Sequence, residues 1–208
     1  MPPMPRKSKV ESERTRARIL ASALDLFAKK GYERTTFNDI AARLKMTKGA
    51  VYWHFESKER LLIALVDEML DKFERQIAEI MPKSELTFSA VAETMVESAG
   101  LVVDDPKSRA FFMLMKTQIR WGSDSMRGVR EALLTNSRFG PWHAFSQAVE
   151  NDRAAGRARA DADAAEAANM CVAAWDGMVQ AKIDGFLRTD MRQTIAHVFD
   201  AVWNYIKA

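Results

Sequence analysis

The chain has 208 residues, of which 48% are apolar and 28% charged, enough for one domain or two small ones. Nine Gly and six Pro stand against 31 Ala, which favours a few long helices and excludes a large β-protein or a disordered chain. The net charge of +3 is uneven: residues 1–60 hold 14 Lys and Arg against 7 Asp and Glu, and the rest hold 17 against 21. A basic module on a mildly acidic body is the electrostatic footprint of a polyanion partner. The single cysteine, Cys171, excludes an internal disulfide and a Cys-based zinc site. His54, His143 and His197 lack metal-ligand spacing, so no metal or cofactor is expected. The longest apolar runs, Leu61–Val66 among them, are six residues, far short of the roughly 18 residues of a membrane span. No apolar segment of signal-peptide length follows the basic opening residues, so a soluble, cytoplasmic protein with no membrane partner is expected.

In chain order, residues 1–9 read as a flexible basic arm. A first helix runs from about Glu11 to Lys30, with Ile19, Leu20, Ala23, Leu24 and Phe27 on one face and Gly31 as its stop. Thr36 caps a short helix, about Phe37–Leu44, with Asp39 completing a capping-box pair. Thr47 caps a second short one that buries Val51 and Phe55, and Ser57 caps a longer helix from Lys58 to about Met81. Further helices are expected over Thr87–Val103, from Pro106 to about Trp121, over Met126–Arg138, and from Pro141 to Ala155. Asp161 or Asp163 caps a long helix to Phe186, and Thr189 or Asp190 caps the last, Met191–Ile206. No period-two strand pattern interrupts them, so the fold class is all-α.

Two short helices joined by a tight turn and packed on a basic helix make a helix-turn-helix. Ala41 is small where the two helices touch, and Ile40, Leu44 and Val51 fill the space between them. The second helix then offers Thr47, Lys48, Gly49, Ala50, Tyr52, Trp53 and His54 to DNA. Gly49 and Ala50 permit close approach, Lys48 can donate to a guanine edge, and Tyr52, His54 and Lys58 can donate to phosphate.

The stretches Thr36-Phe37-Asn38-Asp39-Ile40-Ala41, Thr47 to Phe55 and Ser57-Lys58-Glu59 resemble the TetR family of bacterial transcriptional regulators. The string from Gly49 to Phe55 is most similar to the AcrR branch, whose members repress multidrug efflux pumps. The resemblance implies a helix-turn-helix domain over residues 1–57 and a helical ligand-binding and dimerisation domain over 58–208. It also implies a homodimer, a double-stranded DNA operator, and release from DNA on binding a small hydrophobic or aromatic effector. Thr36 joins the DNA-facing set. One departure falls at Lys45, where the family turn usually carries Gly. A non-Gly residue in a left-handed conformation costs about 1 kcal/mol, and Lys45 offers a phosphate contact in return.

The rest of the chain carries many large, adaptable side chains. Phe88, Met95, Phe111, Phe112, Met115, Trp121, Trp142, Phe145, Met170, Trp175 and Met178 are the candidate lining of an effector pocket, and packed core is the competing reading of each. In the last helix Ile195, Val198, Phe199, Val202 and Trp203 form a stripe wider than the roughly 100° of a surface helix, and are assigned to a dimer interface. No nucleophile elbow, phosphate loop, zinc-protease or dinucleotide motif is present, so no enzyme is expected. The sequence reading is a ligand-responsive repressor. Its rivals are an effector-independent architectural DNA-binding protein and a helical carrier or enzyme.

Overall fold

The computed structural model describes residues 9–136 and 140–208, the side chains of 133–136 excepted. Arg138, the expected end of one helix, and the basic arm apart from Lys9 lie outside the described residues. The described residues hold ten α-helices and no strand longer than a single bridge, between Ala158 and Lys207. None of these helices is long and apolar enough to cross a membrane. The chain divides into two compact units. One takes in residues up to Leu70 with Ala110–Leu134, the other Asp71–Arg109 with Thr135–Ala208.

The first unit begins with α1 (Lys9–Lys30), which buries Ile19, Leu20, Ala23, Leu24 and Phe27. Gly31 ends it at φ +89°, and its N–H closes onto the Phe27 carbonyl at 2.9 Å. Next come α2 (Phe37–Leu44), α3 (Lys48–His54) and the first half of α4 (Lys58–Ile80). Ser57 caps α4, accepting the Arg60 N–H at 3.2 Å.

The helix expected from Pro106 to Trp121 is corrected. α6 spans only Pro106–Met113 and gives way to a π-helical turn, Leu114–Gln118. Trp121 then folds back, and its indole N–H donates to the Met115 carbonyl at 2.7 Å. That bond satisfies a carbonyl left over by the loosened turn, and no Gly or Pro in the segment announces it. A 3₁₀ turn, Asp124–Met126, leads into α7 (Arg127–Asn136).

The second unit is built on α5 (Phe88–Asp104), α8 (Pro141–Ala154), α9 (Ala164–Ile183) and α10 (Met191–Ile206). Thr87, Asp163 and Asp190 cap α5, α9 and α10, each accepting first-turn N–H groups. α9 stops at Ile183 rather than Phe186, because Gly185 turns the chain at φ +77° and leaves Phe186 exposed. The core centres on Phe145, whose ring lies 5.4 Å from Phe88 and 5.2 Å from Phe199. Cys171 is buried there as well, and burial pushes its thiol up to about 12.

Asp152 ties three parts of this unit together. Its carboxylate, 2% exposed, accepts the Phe88 N–H at 2.8 Å and the Arg157 guanidinium at 2.6 Å. Its main-chain carbonyl accepts the N–H groups of Arg157 and Ala158, so α8, the start of α5 and the α8–α9 loop meet on one residue. Asp152→Ala leaves the Phe88 N–H and one side of Arg157 without a partner. The expected loss is about 3 kcal/mol, at the lower end for a broken buried pair because Arg157 keeps water contact and Glu85. Urea denaturation followed by circular dichroism measures it.

Candidate nucleic-acid interface

α3 has only seven residues, so its position depends on its ends and on the side chains it buries. Upstream, α2 is held by a capping box. Thr36 Oγ1 accepts the Asp39 N–H at 3.3 Å, and Asp39 Oδ2 accepts the Thr36 N–H at 2.7 Å. Asp39 Oδ1 also pairs with Lys30 Nζ at 2.7 Å, which links α2 to the end of α1. The bonds from Lys30 and Thr36 hold the Asp39 carboxyl down at about 2. Arg43 reaches back from α2 to Asp25 on α1 at 2.6 Å.

The α2–α3 turn is a Schellman motif closed by Lys45 at φ +54°, ψ +45°. The Lys45 N–H bonds to the Ala42 carbonyl, and the Met46 N–H to the Ala41 carbonyl at 2.9 Å. Lys45 is the sole non-glycine residue at positive φ among the described residues. Thr47 then caps α3, its side-chain oxygen accepting the Ala50 N–H at 3.2 Å.

Val51 and Phe55 are buried, and the Arg16 guanidinium from α1 lies over the Phe55 ring at 5.3 Å. With those two turned inward, the opposite side of α3 faces outward. Trp53 is 71% exposed and Tyr52 47%. Thr47, Lys48 and Gly49 are exposed, and Ala50 and His54 are half-buried. Tyr52 is not loose: its ring packs edge-on against Phe37 at 4.8 Å, and Lys48 Nζ lies 5.5 Å from its centre. Thr36 and Lys45 are exposed on either side of α2. Seven of the ten expected DNA-facing residues are thus exposed along residues 36–53, with Ala50 and His54 half-buried among them. Lys58 differs, since its ammonium is turned onto the main chain of the α1–α2 turn.

Residues 19–65 match the family model described as bacterial regulatory proteins, tetR family. TtgR, an HTH-type transcriptional regulator of Pseudomonas putida, is 27% identical over 180 residues, covering 85% of this chain and 84% of that protein. TtgW of the same species, an uncharacterized HTH-type transcriptional regulator, is 32% identical over 108 residues, covering 52% of this chain and 77% of that protein. The chain belongs to the TetR family. A structure of SmeT in complex with triclosan superposes with a TM-score of 0.75 at 26% identity, over 94% of this chain and 92% of that one. As a TetR-family member the chain is an all-helical transcription regulator and not an enzyme, and α2–α3 is its helix-turn-helix.

The residues expected to line a pocket divide. Phe88 and Phe145 meet in the core of the second unit, and the Trp175 indole N–H donates to the Met95 carbonyl at 2.7 Å. Met178 is half-buried on α9. Trp142 and Met170 stand at the surface of α8 and α9, where the Trp142 indole bonds to Asn169 at 2.9 Å. Phe111, Phe112, Met115 and Trp121 belong to the first unit. Of the expected interface set, Ile195, Phe199 and Val202 are buried in the second unit's own core, while Val198 and Trp203 are half-buried. Trp203 stacks on Phe88 at 5.4 Å and borders a groove of about 420 Å³ between α5 and α10, rimmed by Glu93, Glu97 and Asp200.

Two outcomes follow from the turn geometry. Lys45→Gly removes the left-handed cost and is expected to raise stability by about 0.5–1 kcal/mol, while Lys45→Ala leaves it unchanged; chemical denaturation reads both. Asp39 titrates lower in the fold than in the open chain, so its contribution is complete above about pH 4 and is lost as pH falls toward about 2. Thermal unfolding between pH 5 and pH 2 should therefore show a shallower acid-side fall for Asp39→Asn than for the unaltered chain.

Proposed function

We propose that the chain is a homodimeric repressor that reads a palindromic operator with two copies of α3, and that a small hydrophobic or aromatic effector releases it. The observation that carries this reading is the division of α3. Val51 and Phe55 anchor it inward while Lys48, Tyr52 and Trp53 stand together on its outer side. That division suits a helix laid in a major groove. Gly49 and Ala50 let the main chain come close, Thr36 stands exposed beside them, and Lys45, Thr47, Tyr52 and His54 provide donors for phosphate.

Two features favour an effector. SmeT, over nearly the whole of its length, has the same fold with triclosan bound. The second unit here is rich in rings and thioethers, which adapt to apolar ligands. A ligand acts on DNA binding only by favouring the state that cannot bind, so affinity alone is not enough. The cytoplasm is the compartment such a regulator requires.

Footprinting with a duplex enriched by the chain from a random library tests the reading. Protection should cover a bounded palindrome, with half-sites about one helical turn or somewhat more apart. Unbounded coating indicates an architectural protein instead. Tyr52→Ala, folded and dimeric by circular dichroism and sedimentation, is expected to lose about 1–3 kcal/mol of operator affinity. Triclosan, as the first effector probe, should release the duplex and quench tryptophan fluorescence together.

A further inference from the structure

Lys58 is the first residue of α4, where a cation is badly placed for its own helix because the N-terminal end of the helix dipole is positive. Its side chain leaves that end. The ammonium donates to the Tyr32 carbonyl at 3.0 Å and to the Glu33 carbonyl at 3.1 Å, and lies 4.4 Å from the centre of the Tyr32 ring. These carbonyls follow the end of α1, where a cation is favoured. Two of the three ammonium hydrogens are engaged with carbonyl oxygens, and the ring face takes up the remaining side.

The turn that Lys58 grips also carries bonds of its own, from Arg34 Nε to the Lys30 carbonyl at 2.8 Å and from the Thr35 N–H to the Tyr32 carbonyl at 3.2 Å. Gly31 reverses the chain at φ +89°, and the Thr35 hydroxyl donates to the Gly31 carbonyl at 2.8 Å. Tyr32 is buried against Phe27 at 5.1 Å, yet its hydroxyl has no hydrogen-bond partner among the described residues. Burial raises that phenol, with Glu59 and Glu33 adding to the effect. Tyr32 is therefore held by packing and by the Lys58 ammonium rather than by its own polar end. The next residue but two, Thr35, leads directly into the Thr36 cap of α2.

We propose that Lys58 is a positioning residue for DNA recognition: by clamping the α1–α2 turn onto the first turn of α4, it fixes the angle at which the helix-turn-helix presents α3. This rests on the DNA-binding reading above. It stands in place of the phosphate contact expected from the sequence, because the ammonium that would make it is directed onto two carbonyls and a ring.

The test compares Lys58→Met, Lys58→Arg and Lys48→Met with the unaltered chain. Each is measured on a duplex enriched by the unaltered chain from a random library and on a scrambled duplex, across a salt series. Circular dichroism confirms that every variant is folded at the assay temperature. If the unaltered chain enriches no duplex, the DNA-binding reading fails and this proposal with it.

If Lys58 positions α3, Lys58→Met loses discrimination between the two duplexes by about tenfold or more. Its affinity for the scrambled duplex and its salt slope stay unchanged, and Lys58→Arg, which donates to the same carbonyls, restores most of the discrimination. Two outcomes overturn the proposal. Equal weakening on both duplexes with a slope smaller by about 0.9 marks a phosphate contact. A lowered melting temperature with discrimination intact marks a role in stability alone. Should Lys58→Met be incompletely folded, Lys58→Gln is read in its place by the same criteria.

Discussion

A helix of seven residues cannot hold itself in water, and the outward-facing Lys48, Tyr52 and Trp53 of the helix-turn-helix are carried on one. The architecture of the first unit follows from that weakness. Thr47 satisfies the helix start, Val51 and Phe55 seat it, and Lys45 closes the turn before it. α2 is scarcely longer and is held in the same way, by the Thr36–Asp39 box and by ion pairs to α1 through Lys30 and Arg43. α1 is the long element of this group, and its buried face gives the two short helices something to pack on.

Much of this was legible in the sequence because caps and stops are local chemistry. Thr36, Thr47, Ser57, Asp163 and Asp190 each serve a helix start as their residue types suggest, and Gly31 ends α1 in the left-handed conformation. The outward set on α3 could also be read, since two buried positions four apart fix the opposite side of a short helix. What was not legible shares a cause. The π-helical turn at Leu114–Gln118 goes with a bond from Trp121 back to Met115, and nothing in the local residue pattern marks it. Residue type does not foretell the partners of the Lys58 ammonium either, which lie twenty-five and twenty-six positions earlier in the chain.

Apolar periodicity tells which side of a helix is buried, but not by what. α10 carries a stripe broader than a single packing face needs, and either a partner chain or a second neighbour in the same unit calls for such breadth. Within the second unit α10 packs on both α5 and α9, and a helix lodged between two neighbours requires a broad stripe. Ile195, Phe199 and Val202 are accounted for in that way. The same ambiguity governs the ring-rich positions: Phe88 and Phe145 form close-packed core, whereas Trp142 and Met170 reach the surface. Sequence counts large apolar residues equally in all three settings.

The charge of the first sixty residues illustrates the same limit in electrostatics. Their excess of seven positive charges acts at a distance and falls off over a Debye length of about 8 Å at physiological salt. Contact is a different matter, since each donor must be available at the surface. Lys30 and Arg43 are paired with Asp39 and Asp25, Arg16 lies over Phe55, and Lys58 is engaged with main-chain carbonyls. These cations organise the helix-turn-helix while still contributing to its field, so attraction to a polyanion and precision in meeting it draw on different groups. Lys48 spans the two roles: it lies over Tyr52 on the outer side of α3, where a cation steadies an exposed ring and stays at the surface.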